Sequence, residues 1–182
     1  MILEEVMKHI PNLLTIMRML LIPFIPYMYI IHNNRFVSII LILFAAVSDF
    51  LDGYLARRFH LITEVGKVLD PLADKLLLIA IIFSLFYTSN FSALFLIAYL
   101  LIEITMIVLG VMLYTRKRRV VISSNIFGKI ATGLFLVTAV LSIWYGYNGY
   151  VAVLFAITLL FKLIAFSSYI RHYFVTNTSR QR

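Results

Sequence analysis

The chain has 182 residues, of which 63% are hydrophobic and only 13% charged, and its formal net charge is +8. Soluble domains are about half apolar and about a quarter charged, so this composition excludes an ordinary soluble domain and indicates an integral membrane protein. Cysteine is absent, which excludes disulfide bonds and thiolate chemistry. From the apolar composition we expect the protein to contact membrane lipid and not to bind nucleic acid.

Apolar segments of about 20 residues, the length that crosses a membrane as a helix, recur along the chain. They predict an all-α fold, an integral membrane bundle of six transmembrane helices, as a single domain over residues 1–182. The predicted spans are residues 12–31, 36–57, 65–88, 91–114, 124–145 and 149–171. Before the first span, apolar and charged residues alternate with helical spacing, so a short N-terminal segment is expected to lie along the membrane interface.

Charge is distributed unequally over the connections between these spans. The connections at residues 32–34, 88–90 and 146–149 are short and nearly uncharged. Most arginines and lysines lie in the other connections and near the C-terminus. By the positive-inside rule, both termini and the connection after the second span face the cytoplasm, in a protein that crosses the cell membrane several times.

All four aspartates of the chain lie within residues 49–74 of this apolar sequence. Asp49 and Asp52 are three residues apart near the end of the second span, and Asp70 and Asp74 are four apart in the third. Each spacing places both carboxylates on one face of a helix. Because only a short turn joins the two spans, we expect antiparallel neighbours whose acidic faces meet.

Carboxylates without histidine or cysteine beside them favour Mg²⁺ or Mn²⁺, with Ca²⁺ as a further option. Mg²⁺ is often shared with substrate phosphates, so a phosphate-bearing substrate is expected, with two ions clamping the phosphoryl centre. One carboxylate would then accept a proton from an attacking hydroxyl. The alternative is a structural network with Arg57, Arg58, Lys67 and Lys75, although charges within a membrane are functional by default.

The sequence contains D-x2-D-G-x2-A-R-x8-G-x3-D-x3-D, which begins at Asp49 and ends at Asp74. By this motif the chain is identified as a member of the CDP-alcohol phosphotransferase family, and its six-helix outline resembles the family fold. The resemblance implies a homodimeric membrane enzyme that moves the phosphatidyl group of CDP-diacylglycerol to an alcohol acceptor and releases CMP. It also implies Mg²⁺ or Mn²⁺ as cofactor, as two ions.

The same resemblance assigns roles to individual residues. Asp49, Asp52 and Asp70 are expected to bind metal, and Asp74 is expected to be both a metal ligand and the catalytic base. The residues expected to bind CDP-diacylglycerol beside them are Gly53, Ala56, Arg57, Thr63 and Gly66. Such phosphoryl transfers depend mainly on positioning and on charge stabilisation.

The first predicted span opens with P-N-x2-T-x2-R, from Pro11 to Arg18. It resembles the start of relatives that use glycerol 3-phosphate, in which this segment borders the nucleotide. Asn12 and Thr15 are therefore added to the residues expected to bind CDP-diacylglycerol. The alternative is that Asn12 caps a helix that begins after Pro11, and that Arg18 extends its charge to the membrane surface.

Four residues outside the motif are candidates for binding the acceptor, namely Lys129, Arg116, Arg118 and Glu103. Lys129 lies in a G-K-x2-T element similar to one in relatives. The two arginines belong to a basic run that alternatively contacts anionic lipid. Glu103 lies at a depth similar to that of Lys162, so a structural ion pair between them is the alternative.

The resemblance favours glycerol 3-phosphate as the acceptor, which gives phosphatidylglycerophosphate in phospholipid biosynthesis. Relatives with that acceptor usually carry arginines where this chain has Ile102 and Gly110, so two other acceptors stay open. They are phosphatidylglycerol, in a cardiolipin synthase of the same family, and an inositol phosphate. A small cation transporter and a structural scaffold are the non-enzyme alternatives, and the scarcity of polar residues through the spans disfavours the transporter.

Overall fold

The computed structural model describes residues 2–59, 66–88, 93–113 and 126–178, and every regular element in these ranges is helical. The elements are α1 (Ile2–Leu21), α2 (Phe24–Pro26), a π-helical turn (Tyr27–Ile31), α3 (Arg35–Arg58), α4 (Gly66–Thr88), α5 (Ala93–Leu113), α6 (Ile126–Tyr145) and α7 (Gly149–Thr178). The predicted all-α class is confirmed for these residues.

Several of these helices have the length and apolar character of membrane spans. Four stretches meet both conditions, and they are Asn12–Ile31, Arg35–Leu55, Ile126–Tyr145 and Gly149–Ser168, while Ala93–Val108 is a shorter apolar helix. Helix α4 is of similar length but carries two aspartates and two lysines in its first half. The protein is therefore a multi-pass membrane protein whose described elements are all helical.

The first predicted span, residues 12–31, coincides with the apolar stretch Asn12–Ile31, but it is not a single helix that begins at residue 12. Helix α1 begins at Ile2 and runs through Pro11, so the expectation that Asn12 caps the helix is wrong. The helical spacing of apolar residues before Pro11 continues without interruption into the span. Pro23 has no amide hydrogen to continue the ladder, so α1 ends at Leu21 and the chain proceeds through α2 and the π-helical turn.

The two described short connections follow the chemistry of their residues. Asn33 adopts a positive φ of 49°, which asparagine tolerates, and the side chain of Asn34 accepts a hydrogen bond from the amide of Val37 at the start of α3. Gly146 adopts a φ of 74°, and the side chain of Asn148 accepts from an amide at the start of α7 at 3.0 Å. The predicted tight connections are confirmed at both places.

The helices form two compact units, Met1–Ser89 and Asn90–Arg182. In the first unit, α1 packs against both α3 and α4, and direct contact between α3 and α4 is slighter. The buried residues of α1 and of the segment that follows recur three or four positions apart, at Thr15, Arg18, Ile22, Ile25 and Tyr29. This periodicity places two polar side chains on the same stripe as the apolar core.

In the second unit, α7 packs against α5 and α6. The ring of Tyr99 stacks on that of Phe135 with centroids 4.6 Å apart, and Phe135 meets Phe155 edge-on. Small buried residues, Ala131, Ala139 and Ala165, lie on α6 and α7. Small side chains of this kind let helices approach closely where lipid supplies no hydrophobic driving force.

Candidate active site

Helical periodicity carries the acidic residues of α3 towards α1. The buried stripe of α3 consists of Ser38, Ile42, Ala45, Ser48 and Asp52. Among the described side chains, Asp52 is thus the last buried position of an otherwise small or apolar face, and only 3% of it is exposed. Asp49, one position from that stripe, has a side chain that is 44% exposed.

The acidic residues of α4 lie near the beginning of that helix. Asp70 is half-buried, and the side chain of Asp74, one turn further, is 52% exposed. Ala73, between them, is fully buried and leads into the apolar core of the unit. The two helices therefore present acidic groups at graded depth, from the buried Asp52 to the exposed Asp74.

Arg18 of α1 contacts three of these carboxylates. Its Nη1 atom lies 2.5 Å from Asp49 Oδ1 and 3.0 Å from Asp74 Oδ1, and its Nη2 atom lies 2.7 Å from Asp52 Oδ2. The arginine is fully buried, so these contacts are charge-assisted hydrogen bonds made away from water. The acidic faces of α3 and α4 thus meet at an arginine of a third helix.

Thr15, one turn before Arg18, completes the connections among the aspartates. Its hydroxyl lies 3.1 Å from Asp52 Oδ2 and 2.9 Å from Asp70 Oδ1. A hydroxyl has one hydrogen to donate, so the two carboxylates share it. Through Thr15 and Arg18, α1 joins all four aspartates, which we call the aspartate cluster.

The position of Arg18 corrects one expectation from the sequence. A side chain that reached the membrane surface would be exposed, whereas Arg18 is fully buried and bound by carboxylates. Of the four cations in the alternative structural network, Arg58 donates a hydrogen bond to the hydroxyl of Tyr54 at 2.5 Å. The buried ion pair could have been predicted from one feature of the sequence, namely an arginine within an apolar span on the same helix face as Thr15.

The aspartate cluster has more negative charge than Arg18 can balance. Three carboxylates contact one guanidinium and the fourth, that of Asp70, is joined to them through Thr15; all four offer only oxygen donors, which suit Mg²⁺ or Mn²⁺. The residues present therefore fit a hard divalent cation. Among the described residues, no three acidic or histidine side chains are arranged as the ligands of one metal ion. The guanidinium of Arg18 lies between the carboxylates instead.

The other residues expected to bind CDP-diacylglycerol fall at different places. Asn12 is half-buried on α1, Gly53 is half-buried one residue after Asp52, and Gly66 is buried at the first position of α4. Ala56 and Arg57 lie in α3, but their side chains are outside the described residues, as is Thr63 altogether. Asn12 and the two glycines thus belong to the same unit as the aspartate cluster.

The candidates for acceptor binding belong to the second unit. Lys129 is exposed near the start of α6, whereas Arg116 and Arg118 lie outside the described residues. The predicted ion pair between Glu103 and Lys162 is present, and both residues are about 95% buried. The ammonium group of Lys162 also lies 5.1 Å from the centre of the Tyr99 ring.

The fold and the aspartate cluster define an integral membrane protein with an oxygen-lined, negatively charged centre. The family model described as CDP-alcohol phosphatidyltransferase matches residues 8–164, and the chain belongs to that family. The predicted family and the predicted class of enzyme, a phosphatidyltransferase, are confirmed. The transporter and scaffold alternatives are set aside, because this is a family of enzymes.

Several curated relatives are similar to the chain. The CDP-diacylglycerol–glycerol-3-phosphate 3-phosphatidyltransferase of Aquifex aeolicus is 39% identical over 137 residues, which are 74% of this chain and 75% of that protein. The protein of the same name from Rickettsia typhi is 47% identical over 39% of this chain and 41% of its own length. A cardiolipin synthase (CMP-forming) / mitochondrial hydrolase fusion protein of Schizosaccharomyces pombe is 45% identical over 42% of this chain and 13% of its own length.

Proposed function

We propose that the chain transfers the phosphatidyl group of CDP-diacylglycerol to glycerol 3-phosphate, with Mg²⁺ or Mn²⁺ bound at the aspartate cluster. The observation that carries this proposal is the convergence of four carboxylates from α3 and α4 beside Arg18 and Thr15 of α1. The names of the Aquifex and Rickettsia relatives support the acceptor.

Asp49, Asp52, Asp70 and Asp74 would hold the ions, two in number. Bound there, the divalent ions would neutralise the diphosphate of the substrate and stabilise the charge that develops on CMP. Asp52 is the most buried of the four and suits a fixed ligand, since burial limits its movement. Asp49 and Asp74 have exposed oxygens towards which a substrate can approach.

Asp74 suits the role of base because its side chain is the more exposed of these two. The hydroxyl oxygen of the acceptor attacks the phosphorus that carries diacylglycerol, and its proton passes to Asp74. A new bond forms between phosphorus and the acceptor oxygen. The bond from that phosphorus to the bridging oxygen breaks, and CMP leaves with the electron pair.

The remaining assignments are parts of the same proposal. Asn12, Thr15, Gly53, Ala56, Arg57, Thr63 and Gly66 would bind CDP-diacylglycerol. Lys129, Arg116, Arg118 and Glu103 would bind the acceptor. The chain would form one domain with six spans and a homodimer in the cell membrane, with the active site and both termini in the cytoplasm, as the basic connections favour.

A cardiolipin synthase that uses phosphatidylglycerol is the second candidate. It is favoured by the Schizosaccharomyces relative and by Ile102 and Gly110 at positions where arginines are expected for the glycerol 3-phosphate acceptor. An inositol phosphate is the third acceptor to test. All three use CDP-diacylglycerol and release CMP, so the acceptor alone distinguishes them.

The experiment is an acceptor panel with the full chain in lipid nanodiscs, CDP-diacylglycerol and Mn²⁺. Each reaction contains glycerol 3-phosphate, phosphatidylglycerol, an inositol phosphate or serine, and CMP and lipid products are identified by mass. We expect CMP and phosphatidylglycerophosphate with glycerol 3-phosphate only, and a reduced response to that acceptor in Lys129→Gln. Formation of cardiolipin would show that phosphatidylglycerol, and not glycerol 3-phosphate, is the acceptor. Absence of CMP with every acceptor would contradict the proposal.

A further inference from the structure

Arg18 lies where positive charge is needed among the four aspartates. Its two terminal nitrogens contact three carboxylates within 3.0 Å. Its Nε atom is buried and has no hydrogen-bond partner in the described part of the chain, so the guanidinium is directed to the carboxylates through its terminal nitrogens. Burying a charge without a partner costs free energy, so the carboxylates stabilise the buried guanidinium by charge and not only by packing.

The balance is incomplete, which distinguishes Arg18 from an ordinary structural partner. Three aspartates contact the arginine directly, and Asp70 is joined to Asp52 through the Thr15 hydroxyl. Without Arg18, repulsion between the carboxylates would push α3 and α4 apart, because like charges held close together repel strongly. Arg18 reduces that repulsion from inside the unit, while Asp49 and Asp74 remain open at the surface.

We propose that Arg18 is the resident counter-ion of the aspartate cluster, which keeps the four carboxylates assembled when no divalent cation is bound. The inference rests on the proposed metal site and adds a positioning residue to it. Arg18 and a bound divalent cation then contribute to the same balance of charge. Loss of the arginine makes the folded state depend more strongly on the metal, because the metal then offsets carboxylate repulsion that Arg18 no longer offsets.

The test compares thermal unfolding of wild type and Arg18→Met in nanodiscs, in chelator and in saturating Mn²⁺. We expect Arg18→Met to lose roughly 6 °C or more of Tm in chelator, since removal of one partner of a buried ion pair is strongly destabilising. In Mn²⁺ most of that loss should be recovered. The increase in Tm caused by Mn²⁺ is therefore larger in the variant than in wild type.

Lys162→Met is the matched control, because it removes a second buried cation of the described residues, which pairs with Glu103 in the second unit. Its loss of Tm should be the same in chelator and in Mn²⁺. If Arg18→Met also loses the same Tm in chelator and in Mn²⁺, the variant has lost only structural packing, and the inference is wrong. A smaller response to Mn²⁺ than in wild type would also overturn it, because the arginine would then be needed for metal binding.

Two further variants keep the test decisive if Arg18→Met does not accumulate. Arg18→Met combined with Asp52→Asn removes one charge of each sign and should regain stability in chelator. Arg18→Lys keeps the charge but cannot reach three carboxylates with one nitrogen, so its response to Mn²⁺ should exceed that of wild type. The role of Arg18 as counter-ion is contradicted if the double variant is as unstable in chelator as Arg18→Met. It is also contradicted if Mn²⁺ raises the Tm of Arg18→Lys only as much as that of wild type.

Direct binding of Mn²⁺ to wild type separates this inference from the proposed function. Binding is measured by electron paramagnetic resonance of free Mn²⁺ in the absence of substrate. If wild type binds no Mn²⁺, the proposed metal site fails and the inference fails with it. If wild type binds Mn²⁺ and the Arg18 variants respond as wild type does, only the inference fails.

Discussion

The two units of the chain each bury charged side chains among apolar helices, but they balance these charges differently. In the second unit Glu103 and Lys162 form a one-to-one pair beside the Tyr99 ring. In the first unit three aspartates contact one arginine and a fourth is joined to them through Thr15, and two of the four side chains are about half exposed. A balanced, closed pair suits a structural role, whereas an unbalanced and partly open cluster suits the binding of a further cation.

The largest expected effect comes from removing one negative charge from the open side of the aspartate cluster. Asp74→Asn keeps the size of the side chain but removes the base, so we expect phosphatidyl transfer to fall by roughly 100-fold or more. Release of CMP is the measurement, with Tm in chelator as the control for folding. Because the variant lowers the repulsion within the cluster, its Tm should not fall; substantial activity would remove Asp74 from its role.

The next effect tests the balanced pair. Glu103→Gln leaves the ammonium group of Lys162 buried without a carboxylate partner, and we expect a loss of about 3–5 kcal/mol in the free energy of unfolding. Adding Lys162→Met to the same chain should recover most of the loss.

The acceptor KM of Glu103→Gln decides between the two interpretations of this glutamate. An unchanged KM for glycerol 3-phosphate together with lower stability identifies a structural pair. A raised KM without loss of stability would assign Glu103 to the acceptor and would weaken the contrast between the two units.

A smaller effect is expected at Thr15, which connects Asp52 to Asp70. Thr15→Val keeps the shape of the side chain but removes the shared hydrogen bond, at a cost of about 1.5–3 kcal/mol for a hydrogen bond to a charged group. Thermal unfolding in chelator measures this loss, and Thr138→Val, on α6, is the control. A Thr15 variant as stable as wild type would show that the hydroxyl does not hold the aspartate cluster together.

The smallest effects are expected at the helix caps, one in each unit. Asn34→Ala and Asn148→Ala each remove a side chain that accepts a hydrogen bond from an amide at the start of a helix. We expect about 1 kcal/mol of lost stability from each, without any change in the response to Mn²⁺. If the Tm response to Mn²⁺ changed in either variant, a general loss of stability would be enough to alter that response, and the response would not report on the aspartate cluster alone.

Local pattern was sufficient to predict much of the architecture and the acidic residues. Hydropathy predicts the helices, and spacings of three and four place Asp49 with Asp52 and Asp70 with Asp74. Arg18 could not be placed in this way, because Asp49 and Asp74 lie 31 and 56 residues away in the sequence. Pairing over such separations depends on how α1 packs against α3 and α4, which no local spacing encodes. The interruption after Leu21 follows from Pro23, but the continuation of α1 through Pro11 does not follow from any local rule.

Divalent cations should bind at the unbalanced aspartate cluster and not at the balanced pair. The most direct measurement is Mn²⁺ binding to the purified chain in nanodiscs, compared among wild type, Asp70→Asn and Glu103→Gln. We expect Asp70→Asn to weaken binding by roughly tenfold or more, because carboxylate ligands set the affinity of such sites, and Glu103→Gln to bind as wild type does. Equal affinity in wild type and Asp70→Asn, or a loss confined to Glu103→Gln, would contradict it.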